Sequence, residues 1–371
     1  MKYVDEFRDA HMARGLVAQL HAAAAALPRP VRIMEICGGH TVAICRNGLH
    51  AVLPDKVRLV SGPGCPVCVT PTALIDAAIW LAQQPGVQLF TFGDMLRVPG
   101  STTTLAEINV HTHSVRMMYS PLQVVQHARE HADQRCVLLG VGFETTAPML
   151  AAAVAQAAEL KLPNFWYLSA GKMTPPVMRA LLQDADVALD AFIAPGHVTT
   201  VIGAAAYQFI ADEYHKPCVV TGFEVCDILD ALVRIVQQLA RHEQRVEIEY
   251  TRSVTYAGNL KAQAMLAQVF MPCNAAWRGL GVVPHSGYAL QPAYARYDVQ
   301  LAFELPVVEE IEPAGCRCGE VLRGVCLPHE CALFGKVCTP TRPVGPCMVS
   351  SEGSCGAHFR FGVRTEPQTR S

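Results

Sequence analysis

Short apolar runs rich in β-branched residues recur along the chain. They read "VRIMEI" (31–36), "VRLVSG" (57–62), "VQLFTFG" (87–93), "RCVLLGVGF" (135–143), "NFWYLSA" (164–170), "AFIAPG" (191–196) and "PCVVTGF" (217–223). Each is apolar throughout rather than alternating. Between most of them lie Ala/Leu-rich stretches of helical length, such as "PTALIDAAIWLAQQ" and "TTAPMLAAAVAQAAEL". Continuous apolar strands alternating with helices predict parallel sheets covered on both faces. There are strands enough for two doubly wound units, expected at 31–120 and 121–240. The first 27 residues predict one amphipathic helix stopped by "LPRP". It has apolar residues enough to pack on either neighbour.

After about residue 240 the pattern changes. "VEIEYTRSV" predicts one more strand, and from 272 onward Pro, Gly and Cys rise while helical periodicity fades. The stretch 312–358 holds seven of the 15 cysteines and little apolar material. A segment without its own core needs another means of order, and a bound metal is the readiest. The expected fold class is therefore α/β: two parallel-sheet domains and a cysteine-rich C-terminal domain at 241–371, with residues 1–30 packing nearby.

Composition narrows the function. A chain of 371 residues suits two or three domains, and 51% hydrophobic against 17% charged residues allows a large core. A net charge of −2 with no basic block argues against nucleic acid. No apolar run reaches the roughly 18 residues of a membrane span. The N-terminal "MKYVDEFRDAHMARG" mixes both charge signs and lacks a hydrophobic signal core, so a cytoplasmic protein is expected. In that compartment thiols stay reduced, and many cysteines point to metal or redox chemistry rather than a disulfide framework. Cys136 and Cys218 lie in buried-strand patterns and Cys45 and Cys226 in helical ones. These four read as small core residues.

The candidate chemistry sits where strands end, the edge at which open α/β sheets bind ligands. The loops are "CGGHT" (37–41), "GPGCPVC" (62–68), "FGDMLRVPGS" (92–101), "GFETTAP" (142–148), "SAGKMTPP" (169–176), "PGHVTT" (195–200) and "TGFE" (221–224). Gly and Pro serve turning, but the Cys, His, Glu, Asp and Lys are not needed for it. Cys37 ends a strand and precedes a helical pattern, where a thiol pKa is expected to fall. Its two glycines let a ligand approach, and His40 follows three residues on. Cys65 and Cys68 form a C-x-x-C pair between strand and helix, the arrangement of thiol–disulfide sites or of half a soft-metal site. Glu144 and Glu224 read equally well as helix caps or functional carboxylates. No G-x-x-x-x-G-K-[ST] occurs to support a nucleotide site. In the tail, four cysteines holding zinc or an iron–sulfur cluster would explain its order, but spacing alone does not choose four from seven.

Taken together and in this order, "CGGHT", "GPGCPVC", "TFGDMLRVPGS", "GFETTAP", "PGHV" and the C-terminal cysteine array resemble the HypD family of [NiFe]-hydrogenase maturation factors, over nearly the whole chain. The resemblance implies two α/β domains and one carrying a [4Fe–4S] cluster. The family's ligand pattern, C-x14-C-x6-C-x16-C, falls on Cys316, Cys331, Cys338 and Cys355 and leaves over Cys318, Cys326 and Cys347. It also implies a scaffold which, with the small chaperone HypC, holds an iron centre while it receives two cyanides and one carbon monoxide. The implied iron-binding thiolate is Cys37, with His40, Cys65 and Cys68 completing the cleft. Cyanide would come from HypE as a thiocyanate, and the finished unit would go to the hydrogenase large subunit precursor. Soft thiolate suits such an iron. Releasing cyanide from thiocyanate sulfur needs electrons, which a cluster and a dithiol in series would supply. Two other readings fit the residues alone: a thiol–disulfide oxidoreductase with a zinc-stapled tail, and a non-catalytic docking scaffold.

Overall fold

The computed structural model describes residues 5–306 and 312–362. All seven apolar runs form strands: β1 (Val31–Glu35), β2 (Val57–Ser61), β3 (Val87–Thr91), β5 (Arg135–Gly142), β6 (Phe165–Gly171), β7 (Ala191–Pro195) and β8 (Cys218–Thr221). A short β4 (Val115–Met117), not expected from the sequence, joins them, and "VEIEYTRSV" contributes β9 (Val246–Ile248). Two sheets result, with orders β2-β1-β7-β8-β9 and β4-β3-β5-β6, and each recorded pairing within them is parallel. Strands covered on both faces need apolar residues on both, which is why the runs do not alternate.

The grouping differs from the division at residue 120. β1 and β2 pair with strands from 191–248, while 87–171 supplies the second sheet alone. The chain thus starts in the first sheet, builds the second and returns. The reason lies in the helix after β2, Thr72–Ala82. Its Ile75, Ala78 and Leu81 pack with Leu89, Val137 and Leu139 of the second sheet. A strand run carries its own conformation but not the identity of its neighbour. The N-terminal helix, Ala10–Ala25, lies against the first sheet rather than beside the tail: Leu20 and Ala24 meet Ile33, Ile193 and Leu232.

Residues 270–290 form an antiparallel ribbon of β10 (Phe270–Trp277) and β11 (Gly281–Leu290). Pro272, Pro284 and Gly287 mask it in sequence, yet a two-stranded ribbon has free edges that tolerate proline. Its turn needs Gly279, at φ +77°, where a Cβ would lie 2.2 Å from the Gly319 Cα. The tail is also less coreless than its composition suggests. Val349, Met348 and Leu322 enter the same apolar cluster as Leu139 and Trp277.

Candidate functional site

Parallel strands deliver their C-terminal loops to one edge, and at the first sheet this edge gathers the thiols. Glu35 is the one acidic residue in β1 and is buried. Its carboxylate accepts from the Cys37 N–H at 3.1 Å and from the Thr41 hydroxyl, so it orients the turn that follows. Cys37 is the extended N-cap of the helix Gly38–Arg46. The β2 loop lies directly on it: the Gly38 N–H donates to the Gly64 carbonyl at 3.1 Å. A Cβ on Gly64 would come within 2.4 Å of the Cys37 nitrogen. Gly39 lets the Phe223 ring pack close beside the thiol, since a Cβ would stand 3.0 Å from that ring and 3.5 Å from the Cys37 Sγ.

His40 is buried. Its Nε2 donates to the Gly222 carbonyl at 2.9 Å, and its Nδ1 has no hydrogen-bond partner. The ring stacks on Phe223 at 4.5 Å, and His197 stacks on Phe223 at 4.0 Å. Burial lowers His40 to about 4, so the imidazole is neutral. Cys65 and Cys68, one residue past the Gly64 contact, are joined as a disulfide with Cα atoms 5.2 Å apart. Cys37, His40 and the C-x-x-C pair thus share one strand-end region.

The thiol pKa runs against the sequence expectation. Cys37 is pushed up to about 12, chiefly by burial, with the Glu352 and Glu35 carboxylates adding and the Gly39 and His40 N–H groups only partly opposing. Desolvation outweighs the helix end. Cys37 therefore keeps its proton at neutral pH until a metal or a base displaces it. Glu35 itself is raised to about 8 by burial, which leaves it largely uncharged beside the thiol.

Glu144, Glu224 and Lys172 make contacts within the fold. Glu144 accepts from the Thr174 N–H at 2.6 Å and the Thr174 hydroxyl at 2.8 Å, holding the first turn of the helix Thr174–Gln183. Glu224 pairs with Arg8, and its N–H donates to Asp227 at 3.2 Å at the start of the helix Val225–Ala240. Lys172 forms a bridge with Gly287 of the ribbon. Sequence reasoning passed over Glu35 and Arg278. A carboxylate inside an apolar run was the visible signal for Glu35. Arg278 is buried with its N–H on the Val69 carbonyl at 3.0 Å and its guanidinium on Thr72, just past the C-x-x-C pair.

In the tail, one small cavity is lined by Cys316, Cys331, Cys338 and Cys355, and also by Cys318. Cys316, Cys318, Cys347 and Cys355 stand close to one another, and their mutual contacts lower the Cys318 thiol and raise the other three. Gly345 lets these sulfurs come up against the backbone, since a Cβ there would sit 2.6 Å from the Cys318 Sγ and 2.7 Å from the Cys316 Sγ. Cys326 lies apart, donating to the Leu327 carbonyl at 3.2 Å. A small cavity walled by five cysteines has the donor set of a cluster that takes cysteine thiolates. The nest adjoins the C-x-x-C pair: the Cys68 Sγ is 3.8 Å from the carbonyl of Pro346, the residue before Cys347.

Thiols at the carboxyl ends of a parallel sheet, with a second sulfur nest behind them, define a cysteine-rich α/β protein with candidate sites for soft metals. The HypD family model, described as the hydrogenase formation hypA family, matches residues 11–362. The chain is 43% identical to hydrogenase maturation factor HypD2 of Bradyrhizobium diazoefficiens, across 100% of this chain and 99% of that one. It is 45% identical to HypD of Azotobacter vinelandii (98% and 97%) and 43% identical to HypD of Escherichia coli (97% and 98%). The chain belongs to the HypD family of hydrogenase maturation factors. Among the described residues no helix is long and apolar enough to cross a membrane.

Proposed function

We propose that this chain is a cytoplasmic scaffold on which, together with a HypC-type small chaperone, an iron ion acquires two cyanides and one carbon monoxide. The observation that carries the reading is the contact between the Cys37 turn and the loop of the Cys65–Cys68 pair. Cys37 binds the substrate iron once its proton is displaced. Soft thiolate is the fitting donor for low-spin ferrous iron.

Cyanide arrives on HypE as a thiocyanate, R–S–C≡N. Its release takes two electrons and one proton: the S–C bond breaks, cyanide passes to iron, and R–SH remains. The reduced Cys65–Cys68 dithiol supplies two electrons and two protons as its disulfide forms. One proton goes to the HypE thiol, and we assign relay of the other to His40, neutral and with Nδ1 unpartnered. A [4Fe–4S] cluster held by Cys316, Cys331, Cys338 and Cys355 supplies single electrons when bound. The completed unit then goes to the hydrogenase large subunit precursor.

Infrared spectra of the chain co-purified with its HypC-type partner test the reading. The wild type should show cyanide and carbon monoxide bands, and Cys37→Ser should lose them while keeping its fold, because a serine hydroxyl is a far weaker ligand for ferrous iron. Bands of wild-type intensity in Cys37→Ser would move the iron to another ligand.

A further inference from the structure

Cys45 reads from its helical setting as a small core residue, but its surroundings are not those of a core position. Its Sγ and one nitrogen each of His50 and His358 lie within 4.8 Å of one another. A tetrahedral zinc ion with ordinary bond lengths would hold such atoms about 3.3–3.6 Å apart. The three residues come from distant parts of the chain: Cys45 from the helix Gly38–Arg46, His50 from the turn after it, and His358 from the helix Ser354–Phe361. The centroids of the two histidine rings are 5.6 Å apart, with the rings tilted by 40°. Packing between these helices does not require two imidazoles and a thiol at one point.

We propose that Cys45, His50 and His358 form a metal site for Zn²⁺, separate from Cys37 and from the tail nest, with a fourth position left to water. One sulfur and two imidazole nitrogens are a donor set of borderline softness, suited to zinc. The site joins two elements that matter to the chemistry. The helix Gly38–Arg46 begins at Cys37, and the helix Ser354–Phe361 carries Cys355 in its first turn. Bound zinc clamps one to the other and so fixes the Cys37 turn relative to the cysteine nest. A cavity running from His50 and His358 to Glu35 and Cys326 lies beside the clamp. The inference does not depend on the cyanide chemistry proposed above.

The test uses the full chain, purified anaerobically, stripped of loose zinc with a chelator and titrated with Zn²⁺. Bound zinc is counted by elemental analysis, its ligands read by X-ray absorption at the zinc edge, and the melting temperature followed. The wild type should bind one zinc with a shell of one sulfur and two imidazoles, and should melt higher with zinc. Cys45→Ala and His358→Ala should lose affinity by more than the roughly 10–100-fold that loss of an outer-shell partner costs, and lose the thermal gain. His50 is exposed, so His50→Ala tests the same loss without disturbing the interior. Unchanged zinc content and affinity in His50→Ala and His358→Ala would overturn the proposal. So would a wild-type zinc shell of two or more sulfurs, which would place the ion among the tail cysteines.

Discussion

The Glu144 carboxyl is buried, and burial raises it from 4.5 to about 7 even though Thr174 donates to it twice. An acid raised on folding holds its proton more tightly in the native chain. Its contribution to stability is whole below about pH 4.5 and is lost as pH rises through about 7. The loss is on the order of 3 kcal/mol for a shift of this size. Glu144→Gln keeps an acceptor for the Thr174 N–H and removes the titration. Denaturation midpoints should therefore fall between about pH 5 and about pH 9 in the wild type and fall less in the variant. Glu35, at about 8, and Glu249, at about 7, act in the same direction, so the informative quantity is the difference between the two proteins. Equal slopes would mean that Glu144 is already ionised in the native chain, and would return it to the candidates for a functional carboxylate.

At the scale of elements, the site depends on two turns with no side chains between them. The Gly64 backbone lies so close to Cys37 that a Cβ would fall 2.4 Å from its nitrogen and 2.5 Å from its Cα. Those atoms are backbone and have little freedom to move. Gly64→Ala should cost roughly 1–3 kcal/mol, the range for forced overpacking, and should part the Cys37 turn from the C-x-x-C pair. Urea midpoints and the infrared bands measure the two effects, and wild-type values for both would remove the contact as a requirement. Most of this arrangement was legible beforehand. The apolar runs marked the strands, and the residues out of place in loops marked Cys37, His40, Cys65 and Cys68. Strand order was not legible, because "VRIMEI" and "RCVLLGVGF" are equally good partners for any parallel neighbour. The ribbon was hidden by its prolines, and the raised Cys37 pKa by burial, which no local pattern reports. Cys45 was hidden for a related reason: its partners are 5 and 313 positions away, and only the fold brings the far one near.

At the scale of the whole molecule, the tail is tied in at two kinds of place, and they should separate on mutation. Cys318, Cys338, Cys347 and Cys355 are all buried in the shared apolar cluster, so packing alone does not choose among them. Cys331 is half-buried, outside that cluster, and makes one long contact, 3.9 Å to the Gly315 carbonyl, yet it lines the sulfur-walled cavity. Ligation is the physical reason left for the placement of Cys331; Cys316, Cys338 and Cys355 join it in the proposed ligand set through the family's cysteine spacing. Cys331→Ala should thus give a protein without brown cluster absorption, while Cys318→Ala should keep its colour and lose some stability. The consequences for order should be local. Leu322, Met348 and Val349 remain anchored to the second sheet, and the helix Ser354–Phe361 lies along Gly38–Arg46. Proteolysis of Cys331→Ala should therefore cut first between about residues 325 and 345, where the chain relies on the sulfurs, and spare the closing helix. Bleaching by Cys318→Ala but not by Cys331→Ala would exchange the two in the ligand set. Cleavage beginning in the closing helix would mean that the cluster, not the shared core, holds the end of the chain in place.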